Sequence, residues 1–381
     1  MSRRLFWRAV ALTGALACAG SPQPQPQPVP VLAPESIATT LYLIGDAGDP
    51  DTTEEPVLEA LRRDLASRSS ERVVVFLGDN AYPRGLPAPG RPGRRAAELS
   101  LTRQIETITQ TGSRGFLIPG NHDWAKHGVD GWDAIRRQEA FVDSAGKGTV
   151  SFEPGGGCPG PVVADIGTRL RLVLLDSQWW LHPGPKPRHP ESSCTADSEE
   201  EVVAALGAAV SDAAGRMVVV TQHHPLVSGG IHGGYFGWRD HLFPLRAISS
   251  SLWIPIPLLG SLYPAARLEG ISSQDIESRA YQRMIAAFHR GFRPAPPALD
   301  AAGHEHNLQV IEGSAARFQV VSGAGIYGHT SRVSSIAGTV FAREASGFAR
   351  LEIPRKGPAR LGVLVVDSEG ASREVFSTWV E

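Results

Sequence analysis

From Thr39 onward, short runs of branched and aromatic residues alternate with longer segments in which apolar residues recur every three or four positions. The runs Leu41–Ile44, Val73–Leu77, Phe116–Ile118, Leu170–Leu175 and Val218–Thr221 read as strands. Glu54–Ser67, Arg94–Thr109, Trp132–Ser144 and Glu199–Ala213 read as helices between them. This alternation predicts the α/β class. After His306 the pattern changes. Leu308–Ile311, Phe318–Val321, Phe348–Ile353, Leu361–Val366 and Glu374–Val380 are strand-like runs separated by Gly, Ser and Pro. This tail reads as a meander completing a second sheet against the first. With no long linker and no repeat, residues 39–381 count as one domain.

Two stretches break the pattern. In Leu252–Tyr263 the residues Trp253, Ile254, Ile256, Leu258, Leu259 and Leu262 are interrupted by Pro255 and Pro257, which forbid a regular helix. The stretch is too short to cross a bilayer. It reads either as an insertion packed on the core or as an apolar lid or membrane-docking loop. At the N-terminus, Arg3, Arg4 and Arg8 precede the apolar run Ala9–Ala17, the pattern of a signal peptide over residues 1–19. Ala15-Leu16-Ala17-Cys18 resembles a bacterial lipobox in which Cys18 would be acylated. Ala17-Cys18-Ala19 also suits ordinary signal peptidase. Residues 20–38 form a Pro-rich linker, with proline and glutamine alternating through Ser21–Pro30, a stiff spacer suited to a membrane tether. The expectation is an exported protein, periplasmic or at the cell surface, anchored as a lipoprotein.

Composition adds limits. Apolar residues make up 42% and charged residues 20%, ordinary for a globular protein. The formal net charge of -2 argues against nucleic acid as a partner, since phosphate-backbone binding leaves a basic surplus. Besides Cys18 only Cys158 and Cys194 remain. They form either one disulfide in an oxidising compartment or two unpaired thiols. Neither sits at metal-ligand spacing from the histidines, which argues against zinc–thiolate chemistry.

The candidate chemistry lies where the strands end. Gly45-Asp46-Ala47-Gly48, Gly78-Asp79-Asn80-Ala81-Tyr82, Gly120-Asn121-His122-Asp123, His223-His224-Pro225 and Gly303-His304-Glu305-His306 each follow an apolar run. Ligand sites of open α/β sheets form at the carboxyl ends of strands. Singly each motif is weak: an aspartate there is usually a helix cap, and Gly-Asp-Asn is usually a turn. Jointly they supply carboxylates, an amide oxygen, a tyrosine and several histidines, a ligand set for hard or borderline metals.

In this order the motifs resemble the calcineurin-like metallophosphoesterases, and within them the purple acid phosphatases of the small animal type. The family's pattern is D-x-G, G-D-x-x-Y, G-N-H-[DE], V-x-x-H and G-H-x-H, the fourth element here being Val220-Thr221-Gln222-His223. Generic members carry a histidine two residues after the first aspartate, where this chain has Gly48, and the purple subfamily supplies Tyr82 instead. The resemblance implies two packed mixed β-sheets flanked by helices, a four-layer α/β/β/α sandwich. It implies Asp46, Tyr82 and His306 on Fe(III), and Asn121, His223 and His304 on a divalent Fe, Zn or Mn, with Asp79 bridging. Such a metal pair clamps the attacking and leaving oxygens of an in-line displacement and lowers the pKa of bound water.

His122 is then a catalytic residue facing the phosphate, and His232 falls where small-type members keep a second one. His224 and Asp123 support the ligands from behind, and Glu305 is structural. Trp179, Trp180 and His182 read as core before pocket border. The implied activity is hydrolysis of small-molecule phosphomonoesters. The alternative is a diesterase, nucleotidase or phospholipid-directed hydrolase on the same core, with selection in loops such as Gly229–Gly270.

Overall fold

The computed structural model describes residues 28–49, 55–190, 192–247, 252–313 and 315–381. The signal segment, Cys18 and residues 20–27 of the Pro-rich linker lie outside the described residues. Among the described residues there are fourteen strands: β1 Ile37–Ile44, β2 Glu71–Phe76, β3 Arg114–Leu117, β4 Val150–Phe152, β5 Val162–Ile166, β6 Leu170–Leu174, β7 Met217–Thr221, β8 Leu299–Ala302, β9 Leu308–Glu312, β10 Phe318–Ser322, β11 Thr339–Arg343, β12 Gly347–Pro354, β13 Ala359–Val366 and β14 Ser372–Val380. The helices among the described residues are α1 Pro56–Ala66, α2 Arg94–Thr109, α3 Gly131–Gly146, α4 Gln178–Leu181, α5 Glu199–Ser211, α6 Trp238–Leu242, α7 Leu262–Leu268 and α8 Arg279–Phe292, with short 3-10 turns elsewhere.

Two seven-stranded sheets face each other, ordered β14-β13-β12-β1-β2-β3-β4 and β11-β9-β10-β8-β7-β6-β5. Both are mixed. β1 to β4 run parallel, as do β6, β7, β8 and β10, and antiparallel strands complete each sheet. The pleat explains the continuous apolar runs. Leu41, Leu43, Val73 and Val75 point between the sheets, while Tyr42, Ile44, Val74 and Phe76 point out beneath α1 to α3. A third core packs α4, α5 and α8 on Val173, Val218 and Val220 of the other sheet. The layering is α/β/β/α, and a strand buried on both faces has no polar face to alternate with. α5 starts on a capping box of Ser198 and Glu201, and α8 on Ser278.

The tail does not form one meander in a second sheet. β9, β10 and β11 join the second sheet, whereas β12, β13 and β14 return to extend the first, with Leu41 opposite Leu351. On β12, Ala349, Leu351 and Ile353 join the core between the sheets, while Arg350 and Glu352 on its other face are held by Asp64, Arg68, Arg360 and Glu374. The Leu252–Tyr263 stretch is not packed on the core either. Trp253, Ile254, Leu258, Leu259 and Leu262 are all exposed. No helix among the described residues is long and apolar enough to cross a membrane.

Candidate dimetal centre

Every motif falls just beyond the carboxyl end of a parallel strand: Asp46 after β1, Asp79 after β2, Asn121 after β3, His223 after β7 and His304 after β8. The two sheets meet here closely, since a Cβ on Gly45 would lie 2.9 Å from the Cα of Gly303. Gly78, at φ 90°, has no room either, with the Nδ1 of His223 2.6 Å from its Cβ position. Asp46, Asp79 and His304 hold φ of 57°, 54° and 69°. Such left-handed backbone is uncommon for non-glycine residues and clusters at functional sites.

The side chains form two adjoining groups. In the first, the Tyr82 hydroxyl is 3.1 Å from Asp46 Oδ1, 3.1 Å from Asp79 Oδ2 and 3.2 Å from His306 Nε2. His306 Nε2 is 3.3 Å from Asp46 Oδ1. One phenolic proton cannot satisfy both carboxylate oxygens. In the second, Asn121 Oδ1, His223 Nε2 and His304 Nδ1 lie 3.0–3.3 Å from one another. His223 gives its Nδ1 proton to the Leu77 carbonyl at 2.8 Å, and His304 gives its Nε2 proton to the Gln274 carbonyl at 3.1 Å. Three lone pairs then face each other with no proton between them, an arrangement that a cation resolves. Histidine ligands oriented by a carbonyl on the far nitrogen are the usual metal-site design. Asp79 spans both groups, with Oδ2 on Tyr82 and Oδ1 3.6 Å from His223 Nε2. The residues present therefore fit a metal pair.

The electrostatics agree. Burial pushes the Asp46 carboxyl up to about 8, with nearby Asp79 adding to it and His223 opposing it. Burial also acts to raise Asp79, yet His223 and His122 hold it below the usual carboxylate range. Burial, then Asp46 and Asp79, drive the Tyr82 phenol well above its ordinary value, so a phenolate there needs a strongly Lewis-acidic neighbour. Burial lowers His304 and His306, which keeps them neutral, the form a ligand takes.

Gly48 is explained by its surroundings. A Cβ there would lie 2.4 Å from the Asn80 carbonyl carbon and 2.5 Å from the Ala81 nitrogen. No histidine fits at that position, and the loop that excludes it delivers Tyr82, whose amide donates to Gly48 O at 3.0 Å.

Asp123 is fully buried beside Asp79 and Asn121 and accepts from five groups: the Asn80 and Ala81 amides, the Asn80 and Gln138 side-chain amides and the Gly120 amide. His224 spends both ring nitrogens on Ser177 Oγ and Gln274 Oε1, each at 2.8 Å, so it supports the site without a lone pair to offer. His122 packs edge-on against the Tyr82 ring, holds the Pro83 carbonyl through Nδ1 at 2.7 Å and points Nε2 to within 3.9 Å of Asp79. His232 stacks 4.0 Å from the His304 ring, with Nδ1 3.0 Å from Asp275. Glu305 holds His232 in place by accepting from its amide and from Ser228 Oγ, each at 2.9 Å. Cys158 and Cys194 are joined in a disulfide. Trp179, Trp180 and His182 are buried core, with His182 against Trp124.

Several contributors carried no motif. Gln274, Asp275 and Arg267 come from the segment before α8, and Arg267 ion-pairs with Asp275 behind His232. His329 stands 4.2 Å from the His306 ring. The run Ser-Ser-Gln-Asp at 272–275 is an ordinary turn signal, so only the fold reveals these residues. A cleft of about 730 Å³ bordered by Arg169, Arg216, Met217 and Ala298 opens at the opposite ends of the strands and holds no motif residue.

The calcineurin-like phosphoesterase family matches residues 39–248, more than half of the chain. No curated protein matches. Among solved structures, GAP50, the anchor in the inner membrane complex of Plasmodium, is similar with a TM-score of 0.51 and 14% identity, over 91% of this chain and 89% of that one. A purple acid phosphatase from yellow lupin (Lupinus luteus) seeds aligns with a TM-score of 0.47 and 13% identity, over 91% of this chain and 54% of that one.

Proposed function

The chain belongs to the calcineurin-like phosphoesterase family, and from that membership we propose that it is an acid phosphatase of the purple type, hydrolysing phosphomonoesters. In this reading Asp46, Tyr82 and His306 hold Fe(III), Asn121, His223 and His304 hold a divalent Fe, Zn or Mn, and Asp79 bridges. The observation that carries it is the exchange at Gly48 and Tyr82: the backbone leaves no space for a side chain at 48 and brings a phenol between two carboxylates.

When bound, such a metal pair supplies Lewis-acid activation of water and neutralises charge in an in-line displacement at phosphorus. The chain's own residues do the rest. The Leu77 and Gln274 carbonyls fix the ring orientation of His223 and His304. Asp123 fixes the loops that carry Asp79 and Asn121. His122, its Nδ1–H held on Pro83 O, keeps Nε2 for a phosphoryl or leaving oxygen. Burial lowers His122, so it rests neutral, and an approaching phosphate dianion favours its protonation. His232, in the insert after β7, lies against the His304 ring and is held by Asp275. On the strength of residues 1–30 alone, we place the enzyme outside the cytoplasm, tethered through Cys18.

The test is metal analysis with visible spectroscopy and a substrate panel across pH. The purified enzyme should hold close to two metals and show a tyrosinate-to-iron band that Tyr82→Phe removes. A colourless enzyme, active with zinc or manganese alone, defeats the ferric assignment, and preference for diesters defeats the monoesterase reading.

A further inference from the structure

Between Leu226 and Ile276 the chain leaves the domain core. No described residue from 227 to 275 belongs to any of the three cores. This insert packs on itself through rings, with Phe236 6.3 Å from Tyr263, Trp238 6.5 Å from Phe243 and Phe243 5.3 Å from Trp253. Its outer side is apolar. Of the fourteen exposed large apolar side chains among the described residues, nine fall between Tyr235 and Ile271, including Trp238, Trp253, Leu259 and Leu262. Leu258 is 91% exposed and holds φ 64°, a backbone conformation that disfavours leucine. A patch so concentrated marks an interaction surface.

The base of the same insert builds the site. His232 stacks on His304, and the Gln274 carbonyl orients that ring. Whatever the apolar side meets is therefore held next to the metal-ligand cluster.

We propose that this insert seats the domain on a lipid bilayer with the metal-ligand site at the membrane surface. The composition is that of an interfacial surface: tryptophan and leucine on one side, with the Arg239 guanidinium over the Trp238 ring at 5.4 Å, placing a cation at headgroup depth. The chain outside the described residues points the same way. Nine residues separate Cys18 from Pro28, a reach of at most about 36 Å. Val29, bound to Ser377, begins the part fixed to the domain. With Cys18 as the tether, Val29 stays within about 40 Å of the bilayer. The inference rests on the phosphohydrolase reading only for what the seated site would face, a phosphoester carried by a lipid.

The experiment uses the full chain with Cys18→Ser, which removes any acyl anchor, and vesicles of phosphatidylcholine and phosphatidylglycerol. The parent should float with the vesicles, and Leu258→Ser/Leu259→Ser/Leu262→Ser should partition at least about tenfold less. Brominated lipid should quench parent tryptophan fluorescence, with the quenching much reduced in Trp238→Phe/Trp253→Phe. Equal flotation of parent and triple variant, or a parent that is not quenched, overturns the proposal. Vesicle-independent dimerisation that the triple variant abolishes also overturns it, assigning the face to a second copy. Hydrolysis of p-nitrophenyl phosphate, expected to be equal in all forms, reports on the phosphatase reading separately. Its absence alongside flotation would fail that reading and leave the docking intact.

Discussion

Replacing Asp123 by asparagine puts one NH2 group where a carboxylate oxygen now accepts hydrogen bonds. Oδ2 accepts from the Gly120 amide at 2.8 Å and the Asn80 side chain at 3.0 Å; Oδ1 accepts from the Gln138 side chain at 2.8 Å, the Asn80 amide at 3.0 Å and the Ala81 amide at 3.2 Å. Whichever way the new amide turns, at least two buried donors face another donor. An unsatisfied buried donor costs about 1–3 kcal/mol, so the loss is roughly 2–6 kcal/mol, a large share of a typical domain's 5–15 kcal/mol. Asn80 and Gly120 adjoin Asp79 and Asn121, so metal affinity should also fall, by about 10–100-fold. Burial, with Asp79 adding to it, pushes the Asp123 carboxyl up to about 7. A proton there would find no acceptor among five donors, so the ionised form is the one the site is built around. Urea unfolding of metal-free protein and metal titration of both forms measure the two effects. Unchanged midpoint and affinity would mean that Asp123 is protonated and that asparagine merely mimics it, against an ionised carboxylate.

Two further outcomes can be measured on the same preparation. His122→Ala should lower turnover about 100-fold while leaving metal content intact, because the amide that donates to Asp79 Oδ1 survives the change; metal loss would make His122 a ligand. Asp300, at the centre of β8, is pushed up to about 7 by burial, with the Gln222 side chain opposing. The folded state therefore holds a proton that the unfolded chain releases, and stability falls as pH rises from about 4 to 7, by up to about 1.4 kcal/mol per unit. Asp300→Asn keeps the acceptor for Gln222 and removes the titration, so its urea midpoint should fall less over that range; parallel profiles would contradict the assignment.

The parallel strands and the motifs after them were legible because strand, glycine and ligand lie within a few residues of each other. The limits Arg94–Thr109 fall out of the periodicity alone. What stayed hidden depends on distant pairing. β12 joins β1 across three hundred residues, and nothing local in Gly347–Pro354 says which sheet it will extend. β4 has three residues, and β8 carries Asp300 within an otherwise apolar run, so neither shows a clean pattern. α8 was findable, with Ser278 as cap and Tyr281, Met284, Phe288 and Phe292 on one face. Gln274 and Asp275 were not, since their roles exist only once the insert folds back over His232 and His304.

If Asp79 joins two metal sites in a phosphoester hydrolase, Asp79→Asn removes the oxygen that both would share. Turnover of a phosphomonoester, metal content and circular dichroism should be measured together on the parent and the variant. The parent should hold two metals and turn over, and the variant should be folded with no turnover. A variant that keeps both metals and hydrolyses the substrate at the parental rate would contradict the bridging role.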